Sequence, residues 1–230
     1  VWLAAGLHSA WYMADDVHSG RFRLFFLLSM AGSLGLIVAQ DMIGFYLGFS
    51  LMGLAAYGLV VHEGRRRARR AALVYLAMTL VGEMALFAAL VLIYQRVGSL
   101  APTAEALAGA GDMEIALLIL AFGIKAGLPG LHLWLPLAHP AAPVAASAVL
   151  SGVMIKAALV GWMRFLPLGV EALPGWGAVL IVGGLAGAFL GIAAGLVQRD
   201  PKVLLAYSSI AKMGLMSAVL GLALEEPSLA

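Results

Sequence analysis

Apolar runs of about 20 residues, the length a helix needs to cross the hydrocarbon core of a bilayer, alternate with short clusters of charge, proline and glycine along the chain. The pattern predicts a helical stub at about 1–13 and then seven spans, at about 22–39, 42–62, 71–94, 113–135, 143–166, 176–197 and 203–222. Residues 95–112 are the longest connection, rich in Ala, Gly and Pro, and suit a loop carrying a short interfacial helix. Val1 already lies inside an apolar run, so the chain is expected to begin within a helix and to be part of a longer subunit.

Composition fixes the solvent. The chain is 63% hydrophobic and 11% charged, where a soluble domain carries about a quarter charged residues, and its mean hydropathy is +1.01. One core of this size could not hide so much apolar surface from water, so residues 1–230 read as a single transmembrane domain with no separate water-soluble part. The 28 glycines then serve close helix packing rather than loops. The absence of Cys excludes disulfides, thiolate-held iron–sulfur clusters and Cys-zinc sites, and no paired His or carboxylate spacing replaces them. No cofactor, metal or redox active site is expected in this chain.

The charge pattern gives orientation. Arg21, Arg23, the Arg65–Arg70 run, Arg199 and Lys202 fall on one side of the predicted spans, and Arg96 and Arg164 fall on the other among seven carboxylates. The positive-inside rule makes the Arg65–Arg70 loop cytoplasmic and the 95–112 loop external. The basic run is thus a topology anchor at a lipid surface, not a nucleic-acid site. An integral protein of a bacterial inner membrane is the expected setting.

Four charges remain that the topology does not use. Glu83, Lys125, Lys156 and Lys212 each fall near the middle of a predicted span, where a charge costs at least about 2.5 kcal/mol unless it has a partner, a wet cavity or a function. Groups at one depth on four helices could form a lateral proton or ion path. At an effective dielectric of about 20, moving a carboxylate from about 4 Å to about 8 Å from a lysine removes roughly 2 kcal/mol, so small helix movements could load and unload a proton. Lysines that snorkel or bond backbone carbonyls are the bland alternative. Lys125 is followed by Ala-Gly-Leu-Pro129-Gly130, which should break the helix; broken helices at membrane depth line cavities or lie buried in protein. His132 and His139, just beyond, suit a proton relay, although histidine is also an ordinary interfacial anchor.

The run from Lys125 to Phe165, KAGLPGLHLWLPLAHPAAPVAASAVLSGVMIKAALVGWMRF, resembles the signature core of the antiporter-like proton-translocating subunits. These occur in respiratory complex I, membrane-bound hydrogenase and formate hydrogenlyase complexes, and multisubunit sodium/proton antiporters. RFRLFFLLSMAGSLGLIVAQDMIGFYLGF upstream and DPKVLLAYSSIAKMG downstream extend the resemblance over nearly the whole chain. The LPLAHP and LSGVMIK wording is similar to the hydrogenase-4 branch of the family. The resemblance implies an all-α polytopic bundle with a broken helix: one five-helix half of an inverted-repeat fold plus part of the second half. It further implies that Lys125, Lys156 and His132 stand at proton-path positions, and that the partners are protons, or alternatively sodium, and other membrane subunits.

Two departures from the family pattern matter. Where it has a Glu, in a stretch like G-W-E-L-M-S-L-P-S-Y, this chain reads Gly48-Phe49-Ser50-Leu51-Met52-Gly53-Leu54-Ala55-Ala56-Tyr57. Lys212 stands where His or Gln is commoner. The usual Glu is the expected partner of the broken-helix lysine, which leaves Glu83 as the candidate replacement. The leading reading is a proton-translocating subunit of a respiratory or hydrogenase-type complex; a cation/proton antiporter subunit and a structural scaffold that has lost pumping are the alternatives.

Overall fold

The structure is a computed structural model, and it describes residues 1–229. Among the described residues it is all helical: α1 (Trp2–Tyr12), α2 (Ser19–Val38), α3 (Met42–Val60), α4 (Arg66–Val97), α5 (Ala104–Leu107), α6 (Asp112–Ala126), α7 (Trp134–Ala141), α8 (Val144–Gly152), α9 (Ala157–Phe165), α10 (Pro174–Leu196) and α11 (Pro201–Glu225). A 3₁₀ turn at Met154–Lys156 joins α8 to α9. Six helical segments are long and apolar enough to cross a membrane, with α8 and α9 counted as one. The segment at 113–135, read from the sequence as one span, is divided between α6 and α7, neither of which reaches spanning length alone.

Helix starts follow local chemistry. The Asp41 carboxylate accepts from Gly44 N at 2.6 Å at the head of α3, and Asp200 Oδ1 accepts from Lys202 N at 2.9 Å ahead of α11, each satisfying an amide that a helix start leaves free. The arginine run departs from the sequence reading. Only Arg65 is non-helical; Arg66–Arg70 form the first turns of α4. Arginine is a strong helix former, and at 32 residues α4 is about 48 Å long, so its basic end can project past a hydrocarbon core of about 30 Å.

Glycine sets the spacing between neighbouring helices. A β-carbon on Gly48 of α3 would lie 2.5 Å from Leu36 N of α2, and one on Gly184 of α10 would lie 2.5 Å from Gly214 O of α11. These pairs touch backbone to backbone, the arrangement that lets helices associate where no hydrophobic force separates protein from lipid. Inside the bundle, Phe45, Phe49, Phe122, Trp162 and Phe165 form a buried aromatic stack between α3, α6 and α9. At the end remote from the arginine run, Arg96 grips Glu114 through Nε and Nη2, both at 3.0 Å, and donates to Ala106 O and Ala108 O. The 98–111 connection is thereby fixed against α4 and α6.

Candidate functional site

The helix break is built by four consecutive features. Gly127 takes φ 80°, in the left-handed region that only glycine enters without strain. Its N–H and that of Leu128 both bond Gly123 O, at 2.9 and 3.0 Å, which closes α6 with the 5→1 bond of an αL cap and a 6→1 bond beside it. Pro129 then prevents continuation, and Gly130 turns the chain at φ 82°. Trp134, at the start of α7, donates its indole N–H to Ile124 O at 2.8 Å, satisfying a carbonyl that the end of α6 would otherwise leave bare.

Lys125 sits in the last turn of α6, 3% exposed, where the carbonyl end of the helix favours a cation. Its Nζ lies 5.2 Å from the centre of the Phe49 ring and 5.6 Å from that of Tyr75, within cation–π range. Tyr75 is held in turn by its hydroxyl, which donates to Gly53 O at 2.8 Å, and by an edge contact with Trp134. Glu83, from α4 and 6% exposed, reaches the same space. A β-carbon on Gly53 of α3 would lie 2.8 Å from Glu83 Oε1 and 3.1 Å from Lys125 Nζ, so the two atoms are separated by no more than the sum, about 5.9 Å. They are also more than 4.0 Å apart, because they do not form one of the ion pairs among the described residues. Neither Glu83 Oε1 nor Lys125 Nζ has a hydrogen-bond partner among the described protein groups. Three helices thus bring an acid and an ammonium together within the span of one bridging water.

The other residues singled out from the sequence lie around this pair to different degrees. His139 is fully buried and its Nδ1 lies 2.7 Å from Ser147 Oγ, linking α7 to α8. One turn on, Ser151 Oγ donates to Ser147 O at 3.2 Å, and Lys156 Nζ donates to Ser151 O. Polar groups therefore run along α8 from His139 to Lys156. Lys156 is half-buried and lines a cavity of about 130 Å³ with Ser33, Met52 and Gly152. His132 lies in the break itself, half-buried, its Nδ1 without a protein partner. Lys212 is not gathered in. It is exposed on α11 and lines an open groove of about 360 Å³ with Gly191, Gly195 and Ser208. Ser50 is half-buried with its Oγ unpaired, one turn before Gly53 on α3.

Two parts of this arrangement are not evident in the sequence. The first is a second interruption: the chain leaves helical geometry at Val153 (φ −130°, ψ −54°), and Lys156 stands in the 3₁₀ turn that follows. Ser151-Gly152-Val153, three weak helix formers, is the available signal. The second is Gly53, whose importance lies in what α4 and α6 place against it.

Residues 39–226 match the family model described as NADH:quinone oxidoreductase/Mrp antiporter, transmembrane. The chain belongs to this family. Among its relatives, hydrogenase-4 component B of Escherichia coli is 31% identical over 99% of this chain and 36% of its own length. NADH-quinone oxidoreductase subunit N of Deinococcus radiodurans is 30% identical over 89% of this chain and 43% of its own. Two solved structures share the fold. The membrane-bound sulfane sulfur reductase, an archaeal respiratory membrane complex, superposes with a TM-score of 0.80 at 29% identity, covering 94% of this chain and 38% of the other. The Mrp complex from Dietzia sp. DQ12-45-1b gives 0.79 at 27% identity, covering 86% and 23%. This antiporter-like membrane subunit therefore spans well under half the length of these relatives.

Proposed function

We propose that this antiporter-like subunit moves protons within a respiratory or hydrogenase-type membrane complex, by changes of protonation along Lys125, Lys156 and their polar neighbours. The observation that carries the reading is the buried pair of Glu83 and Lys125 at a helix break. A charge at membrane depth is costly, and an ammonium left with an acid nearby but not in contact can change partner or proton with little movement of the helices. In this reading Glu83 holds the charged form of Lys125. His132 and the His139–Ser147–Ser151 series connect the broken helix and Lys156 toward the end of the bundle where Lys202 donates to Ala142 O. Lys212 extends the path across the face of α11, where a further membrane element would have to cover it. The complex would lie in a bacterial inner membrane with the Arg65–Arg70 end cytoplasmic, and its other membrane subunits would supply the driving change of state.

The test uses the full-length subunit in its complex, reconstituted in proteoliposomes. Lys125→Ala and Lys156→Ala should each abolish proton uptake while the subunit remains inserted, because removing a charge from mid-span lowers the cost of insertion. Pumping at the parental rate by both variants refutes the reading. Flux that depends on sodium rather than on protons would favour a cation/proton antiporter, a reading supported by the likeness to the Mrp complex.

A further inference from the structure

Where α1 turns back into α2, the two helices leave a groove of about 330 Å³ lined by Gly6, Ser9, Ala10, Arg23, Phe26 and Leu27. Phe26 is its floor: the ring meets Trp2 edge-on with centroids 4.9 Å apart, and a β-carbon on Gly6 would lie 3.7 Å from Phe26 Cε1. Gly6 and Ala10, one turn apart on α1, keep the opposite wall low. Arg23 stands in the first turns of α2, which begins at Ser19, so Phe26 and Leu27 lie about 4.5–6 Å deeper along the helix. Trp11 and Tyr12, exposed at the end of α1, mark the same level, since such aromatics gather at the headgroups. Arg23 is exposed and has little to hold. Among the described residues its guanidinium forms no ion pair, and its hydrogen bond from Nη2 to Ser19 Oγ is long, at 3.4 Å. Ser9 spends its hydroxyl proton on Gly6 O at 2.8 Å. The groove therefore offers one cation, most of its five N–H donors free, above an apolar floor.

We propose that this groove binds one anionic phospholipid from the leaflet on the arginine-rich side, its phosphate on Arg23 and an acyl chain over Phe26 and Leu27. Charge complementarity selects the occupant. From the membrane surface inward the groove presents a cation and then apolar side chains, the order of phosphate and chain in a phospholipid. A guanidinium can meet a phosphate with two parallel N–H···O bonds, and an arginine near an anionic lipid surface is attracted to it. A membrane helix laid in the same groove would cover the floor but leave the guanidinium without an anion. The site lies at the α1–α2 edge of the bundle, apart from the Glu83–Lys125 pair, and stands whether or not the subunit moves protons.

The test is photolabelling of the full-length subunit in its complex, held in nanodiscs that contain either phosphatidylglycerol or phosphatidylcholine with a diazirine near the carbonyl end of one acyl chain. Mass spectrometry of the digested protein then locates the label. Phe26 and Leu27 should be labelled at least about fivefold more by phosphatidylglycerol than by phosphatidylcholine, whereas Leu3, exposed and outside the groove, should show no preference. Arg23→Gln should remove the preference at Phe26 and Leu27, and Arg23→Lys should retain most of it. Ala10→Leu, at an exposed position, fills the groove and should lower labelling of Phe26 and Leu27 by both lipids while leaving Leu3 unchanged. Equal labelling of the groove by the two lipids in the parent would make its occupant unselected bilayer lipid and overturn the proposal. So would a preference that survives Arg23→Gln. Absence of label from Phe26 and Leu27 overturns it as well, and an Ala10→Cys variant that then cross-links to another membrane helix would identify a protein occupant.

Discussion

Replacing Glu83 with Gln keeps the shape of the side chain and removes its charge. At a separation between 4.0 Å and about 5.9 Å, and with an effective dielectric of about 20, the attraction between carboxylate and ammonium is about 3–4 kcal/mol. Each 1.4 kcal/mol is tenfold in an equilibrium, so the charged pair loses at least about a hundredfold in weight. Neighbouring rings recover little of it, since a cation–π contact contributes about 0.5–2 kcal/mol and both Phe49 and Tyr75 already make theirs. Glu83→Gln should therefore slow proton uptake by one to two orders of magnitude in reconstituted complex, without lowering the amount of inserted subunit. If a counter-charge is what has been lost, Ser50→Glu in the same chain should restore part of the rate, because Ser50 lies one turn from Gly53 on the same side of α3. Parental uptake by Glu83→Gln, or a double variant no faster than the single one, contradicts the reasoning.

Two further outcomes test the scaffold and its orientation. Gly184→Leu should separate α10 from α11, since even a β-carbon there would sit 2.5 Å from Gly214 O, and the detergent-solubilised complex should lose several degrees of thermal stability while Gly183→Leu, with open space around its β-carbon, leaves it unchanged. Single cysteines at Arg67 and Gly98 should label from opposite faces of the membrane, Arg67 only from the cytoplasm; labelling of both from outside would invert or dissolve the orientation inferred from the charge pattern.

What can be read from the chain alone follows from how locally each feature is encoded. The end of α6 is legible because Gly127, Pro129 and Gly130 act through their own backbones. Mid-span charges are legible for a different reason: lipid makes each one conspicuous wherever its helix points. The break at Val153 is hidden because Val144–Phe165 as a whole is long and apolar enough to read as one span. The helical state of Arg66–Arg70 is hidden by the opposite bias, since charge clusters look like loops even where the backbone continues. Lys212 falls at mid-span in the sequence, but depth says nothing about rotation, and the turn of α11 directs it outward. Which lysine Glu83 meets is likewise undetermined until α3, α4 and α6 are packed.

Position 53, where the quoted family stretch has Ser and this chain has Gly, is a further departure, and under the proposed reading it bears on the same pair as position 50. A stretch resembling G-W-E-L-M-S would carry both an acid and a hydroxyl on the side of α3 that looks toward Lys125. In this chain the acid comes from α4, and its carboxylate occupies space within 2.8 Å of where a Gly53 side chain would begin. Any side chain at position 53 and the carboxylate of Glu83 would have to share that volume. Ser50, one turn earlier, then has no charge to contribute and is left with an unpaired hydroxyl. The fold is that of the solved relatives, and in the proposed reading the counter-charge is supplied from α4 instead of α3. A single substitution at 50 or at 53 therefore reports only half of the change, and the pair Ser50→Glu with Glu83→Gln is the smallest alteration that moves the acid while keeping the net charge.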